Sequence, residues 1–267
     1  MGVKLKKQAS EMDRPLPIYY YRKSERDSKE CHDFLLRYDK QVKQYLPDNF
    51  PFPTRQRDWE LFKVLQKIPT DNAKIKILDT GSFNTFTGFW LAAFSESPVV
   101  SDLLSQRFFK SALRYLGFLP RKKNELFYLK WRSILTRGAP NLSIKNIDLL
   151  NIPYPNSSFD YITSISVIEH IEKTKIALEQ MYRCLKPGGK LLITTDCHQT
   201  GLPYSKGVRF RSVEELEQLF KDYPVTSSYA APSFDVENWC YNKNGVILAF
   251  IEISKPNITD ATSEKID

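Results

Sequence analysis

Cysteine is scarce in this chain. Its 267 residues hold four, Cys31, Cys184, Cys197 and Cys240, and no two stand close together. That spacing excludes a paired-cysteine zinc site and a disulfide scaffold, and a reducing, cytoplasmic setting is expected. Long apolar runs are missing as well: none reaches the roughly 18 residues a membrane-spanning helix needs. Residues 1–13 carry Lys4, Lys6 and Lys7 with no apolar stretch behind them, so a secretory leader is not expected. Histidine is limited to His32, His170 and His198. There is no phosphate loop of the GxxxxGKS/T type and no HExxH motif, so no metal site is expected. No zinc-finger, RNA-recognition or helix-turn-helix signature occurs.

What is present describes a globular protein. Hydrophobic residues make up 42% and charged residues 26%, enough apolar content to bury a core. The length suits one sheet-based domain with an added segment. Basic residues outnumber acidic ones, 39 to 31, for a formal charge of +8. Such a balance suits polyanions, including nucleic acid, and equally describes a solvated basic surface; no motif supports nucleic acid.

The first 70 residues read as a helical extension. Phe34, Leu35, Tyr38, Val42, Tyr45 and Leu46 recur at helical spacing. Pro47, Pro51 and Pro53 interrupt, and Thr54 can cap a second helix with Trp59, Phe62, Val64, Leu65 and Ile68 on its apolar face. This segment either covers the edge of the main domain or serves as a lid over a site. Tyr19-Tyr20-Tyr21, beside Arg22 and Lys23, either stacks on a sugar or base or packs as an apolar patch.

From residue 71 to 256 strands and helices alternate. Strands are expected at Lys74–Leu78, Pro98–Ser101, Leu142–Ile147, Phe159–Ser166 and Lys190–Thr195, with late strands at Val225–Ala230 and Val246–Ile253. Helices are expected at Thr85–Phe94, Leu103–Leu116 and Lys173–Cys184, and from a Ser212 cap to Phe220. A turn is expected at Lys186–Gly189, a basic and aromatic insertion around 104–140 (Arg121–Arg137 includes Trp131), and a flexible tail over 257–267. Such alternation implies an α/β fold: a Rossmann-like, mostly parallel seven-stranded sheet with helices on both faces. Ligands in these sheets bind beyond the carboxyl ends of the strands. Asp79 and Gly81, Asp102, Asp148, the Ser166–His170 run, Asp196 and His198 all fall there.

Four stretches taken in order resemble one family. They are Lys76-Ile77-Leu78-Asp79-Thr80-Gly81-Ser82; Asn146 to Ile162, with Asp148 and Leu149; Val167-Ile168-Glu169-His170-Ile171; and Met181 to Ile193, with Lys186-Pro187-Gly188-Gly189. Together they are similar to the class I S-adenosylmethionine-dependent methyltransferases, over about residues 73–200. The resemblance implies S-adenosylmethionine as cofactor. Asp79 and Gly81 would face its methionine part, Asp102 its ribose hydroxyls and Asp148 its adenine amino group, with Leu149 beside the ring. Where the family carries two further glycines, Phe83 and Thr85 stand here.

Methyl transfer from a sulfonium is an in-line displacement, so the protein chiefly aligns donor and acceptor in a dry site. An oxygen or nitrogen acceptor of high pKa also needs a base. His198 and His170 fall on the ligand side and are the candidates; His32 lies in the extension. The leading expectation is methyl transfer to a small-molecule or sugar-containing acceptor, on oxygen. Two alternatives stay open. One is a nucleic-acid methyltransferase; the other is a binding or scaffold protein whose cofactor site is lost at Phe83 and Thr85.

Overall fold

The computed structural model describes residues 15–46, 57–71, 74–82, 86–102, 139–199, 212–240 and 245–257. Phe83, Thr85, the Thr54 cap, the helix expected at Leu103–Leu116, the Arg121–Arg137 insertion and the tail beyond 257 lie outside the described residues. Among those described, seven strands form one sheet: β1 (Tyr19–Tyr20), β2 (Ile77–Thr80), β3 (Val99–Asp102), β4 (Ser143–Asn146), β5 (Phe159–Ile165), β6 (Leu185–His198) and β7 (Val246–Ser254). Their order is β1-β7-β6-β5-β2-β3-β4. Strands β2 to β6 run parallel. β7 is antiparallel to β6, and β1 is antiparallel to β7. This is the Rossmann-like, mostly parallel sheet expected above.

The central strands are buried on both faces, and their sequences follow. β7 reads Val-Ile-Leu-Ala-Phe-Ile-Glu-Ile-Ser with eight of its nine residues buried, a near-continuous apolar run of the kind a doubly covered strand needs. Two helices show the coverage. Thr194 on β6 donates to Glu60 of α3 (Asp58–Leu65). Cys197, of opposite parity and so on the other face, feels the charge of Glu214 on α6 (Val213–Phe220). Ser212 caps α6 with the full reciprocal box that Glu215 completes.

The remaining helices are α1 (Lys23–Arg26), α2 (Lys29–Lys43), α4 (Thr87–Phe94) and α5 (Thr174–Cys184). On α2, Cys31, Phe34, Leu35, Tyr38, Asp39 and Val42 are buried, the stripe that its periodicity predicts. Every residue of α3 is buried, so this helix of the extension is a layer of the core.

Two features differ from expectation. The turn expected at Lys186–Gly189 falls inside β6, which begins at Leu185: Leu185 pairs with Phe159 and Lys190 with Tyr161, so the residues between leave the β5 ladder, with Gly188 at φ 75°. Val225–Ala230 makes two isolated bridges in place of a strand, Val225 to Ile253 and Ala230 to Tyr19. The cause lies at the edge of β7. Tyr19 and Tyr20 pair with Phe250 and Ala249, which leaves Val225 the far end of β7 and Ala230 the outer edge of β1.

Candidate functional site

Because β2 to β6 are parallel, their carboxyl ends share one rim. Sheet order reverses between β2 and β5, the place where such folds bind ligands. Six of the sequence-predicted residues stand along this rim, and Asp79 lies just inside it, within β2. Gly81 follows β2, Asp102 ends β3, Asp148 and Leu149 follow β4, His170 follows β5, and His198 ends β6.

Gly81 adopts φ 64°, a left-handed conformation that costs other residues. A Cβ there would stand 2.3 Å from Val167 Cγ2, so glycine is required for space as well as for backbone. With no Cβ on Gly81, the Val167 side chain packs directly against the turn. Asp79, just before it, is buried. Its carboxylate accepts hydrogen bonds from Thr87 and Thr163. Burial raises its pKa, and the bonds from Thr163, Thr87 and Ser82 oppose the rise. Asp79 therefore braces β2 against β5 and the start of α4. The half-exposed Asp102 is near enough for its charge to be felt at Asp79.

Asp148 is exposed, and its Oδ1 accepts from the Leu150 N–H at 2.9 Å, a bond that sets the turn holding the buried Leu149. The loop beyond is fixed from α5: the Arg183 guanidinium donates to the carbonyls of Ile152 and Tyr154, each at 2.6 Å.

The β5–β6 half of the rim is rich in carboxylates. Glu169 is buried in a 3-10 turn, Ile168–His170, and accepts from Thr195 Oγ1 at 3.2 Å. Burial, then the charges of Asp196 and Glu60, push its carboxyl up to about 8. Asp196 and His198 alternate along β6 with Thr194 and so share its face. Glu60 approaches that face from α3 and is wholly buried. The imidazole of His198 is buried too, and Nδ1 lies 2.9 Å from the Gln199 carbonyl. A carbonyl only accepts, so this contact is a hydrogen bond in the tautomer protonated at Nδ1. His170 is exposed at the rim, and His32 is exposed on α2. Tyr20 and Tyr21 are buried and Tyr19 stacks on Trp59, so this cluster packs inward.

Nothing local in the sequence marks Glu60, and Glu169 stands within its motif without an expected role. Only the second was findable, as an acidic residue next to the end of a predicted strand. The rim partners of Glu60, Ser166 and Thr194, lie 106 and 134 residues away, and no local pattern announces that meeting.

Residues 129–193 match the family model described as a methyltransferase domain, a stretch that includes Asp148, Leu149, Glu169 and His170. A demethylmenaquinone methyltransferase of a Geobacillus species is 27% identical over 113 residues, 40% of this chain and 43% of that protein. Phosphoethanolamine N-methyltransferase 2 of Caenorhabditis elegans is 31% identical over 117 residues, 44% of this chain and 23% of that one. The chain thus spans less than half the length of these curated relatives. A solved phosphoethanolamine N-methyltransferase 2 of Haemonchus contortus superposes with a TM-score of 0.55 at 17% identity, covering 85% of this chain and 61% of that one; at that identity the likeness concerns the fold. Residues 129–193 are thus similar to a methyltransferase domain, and the sheet that carries them has the fold of the solved methyltransferase.

Proposed function

We propose that the chain transfers a methyl group from S-adenosylmethionine to a small-molecule acceptor. The observation that carries this reading is the division of one rim into two halves. Gly81, Asp102, Asp148 and Leu149 border β2 to β4, and Glu169, Asp196 and His198 border β5 and β6. In this reading the Gly81 turn receives the methionine part of the cofactor. Asp102 accepts hydrogen bonds from the ribose hydroxyls, and Asp148 accepts from the adenine amino group above Leu149. Bound there, the sulfonium supplies an electrophilic methyl group. The acceptor lies across β5 and β6, in line with it. His198 takes the acceptor's proton at Nε2 in this proposal, with the exposed His170 as the other candidate base.

A proton-removing base at the acceptor side favours an oxygen acceptor, with a sugar-bearing metabolite as the expected class. The relative named as a phosphoethanolamine N-methyltransferase favours a second reading, a nitrogen acceptor. The test is calorimetric titration with S-adenosylmethionine, followed by transfer of labelled methyl to a panel of sugar hydroxyl and amine acceptors. Asp102→Ala should weaken cofactor binding about tenfold or more, the loss of charge-assisted bonds to two hydroxyls. Absence of any heat with the unaltered chain would sink the enzymatic reading and favour a binding or scaffold role. RNA binding that fades steeply with salt, with RNA as the methylated product, would favour the nucleic-acid alternative.

A further inference from the structure

Glu60 belongs to α3 of the N-terminal extension, yet it ends at the catalytic rim. Its Oε1 accepts from the Ser166 hydroxyl, from Thr194 Oγ1 at 2.9 Å and from the Arg57 guanidinium at 3.4 Å. A carboxylate in so dry a place is tolerated only when such donors surround it. Ser166, immediately after β5, sits at φ 47°, a backbone region that residues other than glycine rarely enter. It is held there from two sides. Glu60 takes its hydroxyl, and its N–H donates to the Thr194 carbonyl at 3.0 Å. The next residue is Val167, whose side chain is the one a Cβ on Gly81 would strike. Strained conformations of this kind persist only where the surroundings over-determine them, and they gather at functional sites.

We infer that Glu60 is a positioning residue of the cofactor site: it fixes the Ser166 turn, and through Val167 that turn forms one wall of the cradle at Gly81. The inference rests on the reading of the rim as an S-adenosylmethionine site. The extension thereby contributes to cofactor binding without touching the cofactor.

Calorimetric titration with S-adenosylmethionine, with thermal unfolding in parallel, tests it on the unaltered chain, Glu60→Gln, Glu60→Met, Ser166→Ala and the Glu60→Met/Ser166→Ala double variant. A glutamine carbonyl accepts from the same three donors, so Glu60→Gln should bind within about threefold of the unaltered chain. Glu60→Met and Ser166→Ala should each weaken binding about tenfold, the consequence of a small misplacement of the cradle wall. The double variant should bind no more weakly than the worse single one, since both break the same link. If Glu60→Met does not fold, Ser166→Ala against Glu60→Gln still decides. Single variants that bind like the unaltered chain, or losses that multiply in the double variant, overturn the positioning role alone. An unaltered chain that binds no S-adenosylmethionine overturns both this inference and the function on which it rests.

Discussion

Glu169 carries the clearest pH signature of any single residue here. Burial raises its carboxyl first, and the charges of Asp196 on β6 and Glu60 on α3 add to the rise. A bond from backbone and the Arg57 cation oppose it, and the balance stands near 8. A carboxyl whose folded pKa exceeds its unfolded one favours the folded state while both are protonated. That contribution is full below the unfolded value and fades as pH climbs through the folded one. The loss therefore falls between about pH 5 and pH 8. Glu169→Gln, neutral throughout, should flatten this decline. Urea midpoints measured across that range would show it, and an unchanged slope would contradict it. Gly81 gives a second residue-level test. Gly81→Ala meets a left-handed backbone that costs about 1–2 kcal/mol and also the Val167 methyl. Adding Val167→Ala should recover the steric part only, so thermal unfolding of the double variant should fall between the unaltered chain and Gly81→Ala.

Among the elements, legibility followed locality. Periodic apolar spacing revealed α2 and α3, the Ser212 cap revealed α6, and acidic residues after short apolar runs revealed the rim. Strand β1 was not legible, because two tyrosines carry no period and their partners, Phe250 and Ala249, lie 231 and 229 residues along the chain. What fixes β1 is a contact beside it. Lys63 of α3 is buried under the Tyr19 ring, 3.6 Å from its centroid, and pairs with Glu25 at 2.9 Å. Glu25 also accepts from the Trp59 indole at 2.7 Å. One carboxylate thus ties α1 to α3 beneath the edge strand. Glu25→Ala would leave the ammonium uncompensated in an aromatic setting, and a cost of about 3 kcal/mol is expected. Lys63→Met placed in the same chain should return much of it. A chemical-denaturation cycle over the four chains measures the coupling, and additive losses would mean that the pair is not the tie.

For the molecule as a whole, the question is whether the extension is a detachable lid or part of the fold. A lid that merely closes over a site can be removed and leaves a folded domain behind. The contacts argue otherwise. All eight residues of α3 are buried, and Trp59, Phe62, Val64 and Leu65 among them would each forfeit about 1.5–3 kcal/mol of burial. Without β1, the N–H and C=O groups of β7 around Leu248–Phe250 would lose the partners they have in Tyr19–Tyr21 and form an open apolar edge, a template for aggregation. Removing Glu60 would also leave the hydroxyls of Ser166 and Thr194 without their shared acceptor at the rim. A chain that starts at residue 71 is therefore expected to be insoluble or to unfold without a cooperative transition, although every residue of the predicted catalytic domain is retained. Soluble yield and a thermal melt followed by circular dichroism decide the matter. A truncated chain that melts cooperatively and still binds S-adenosylmethionine would return the extension to the status of a lid.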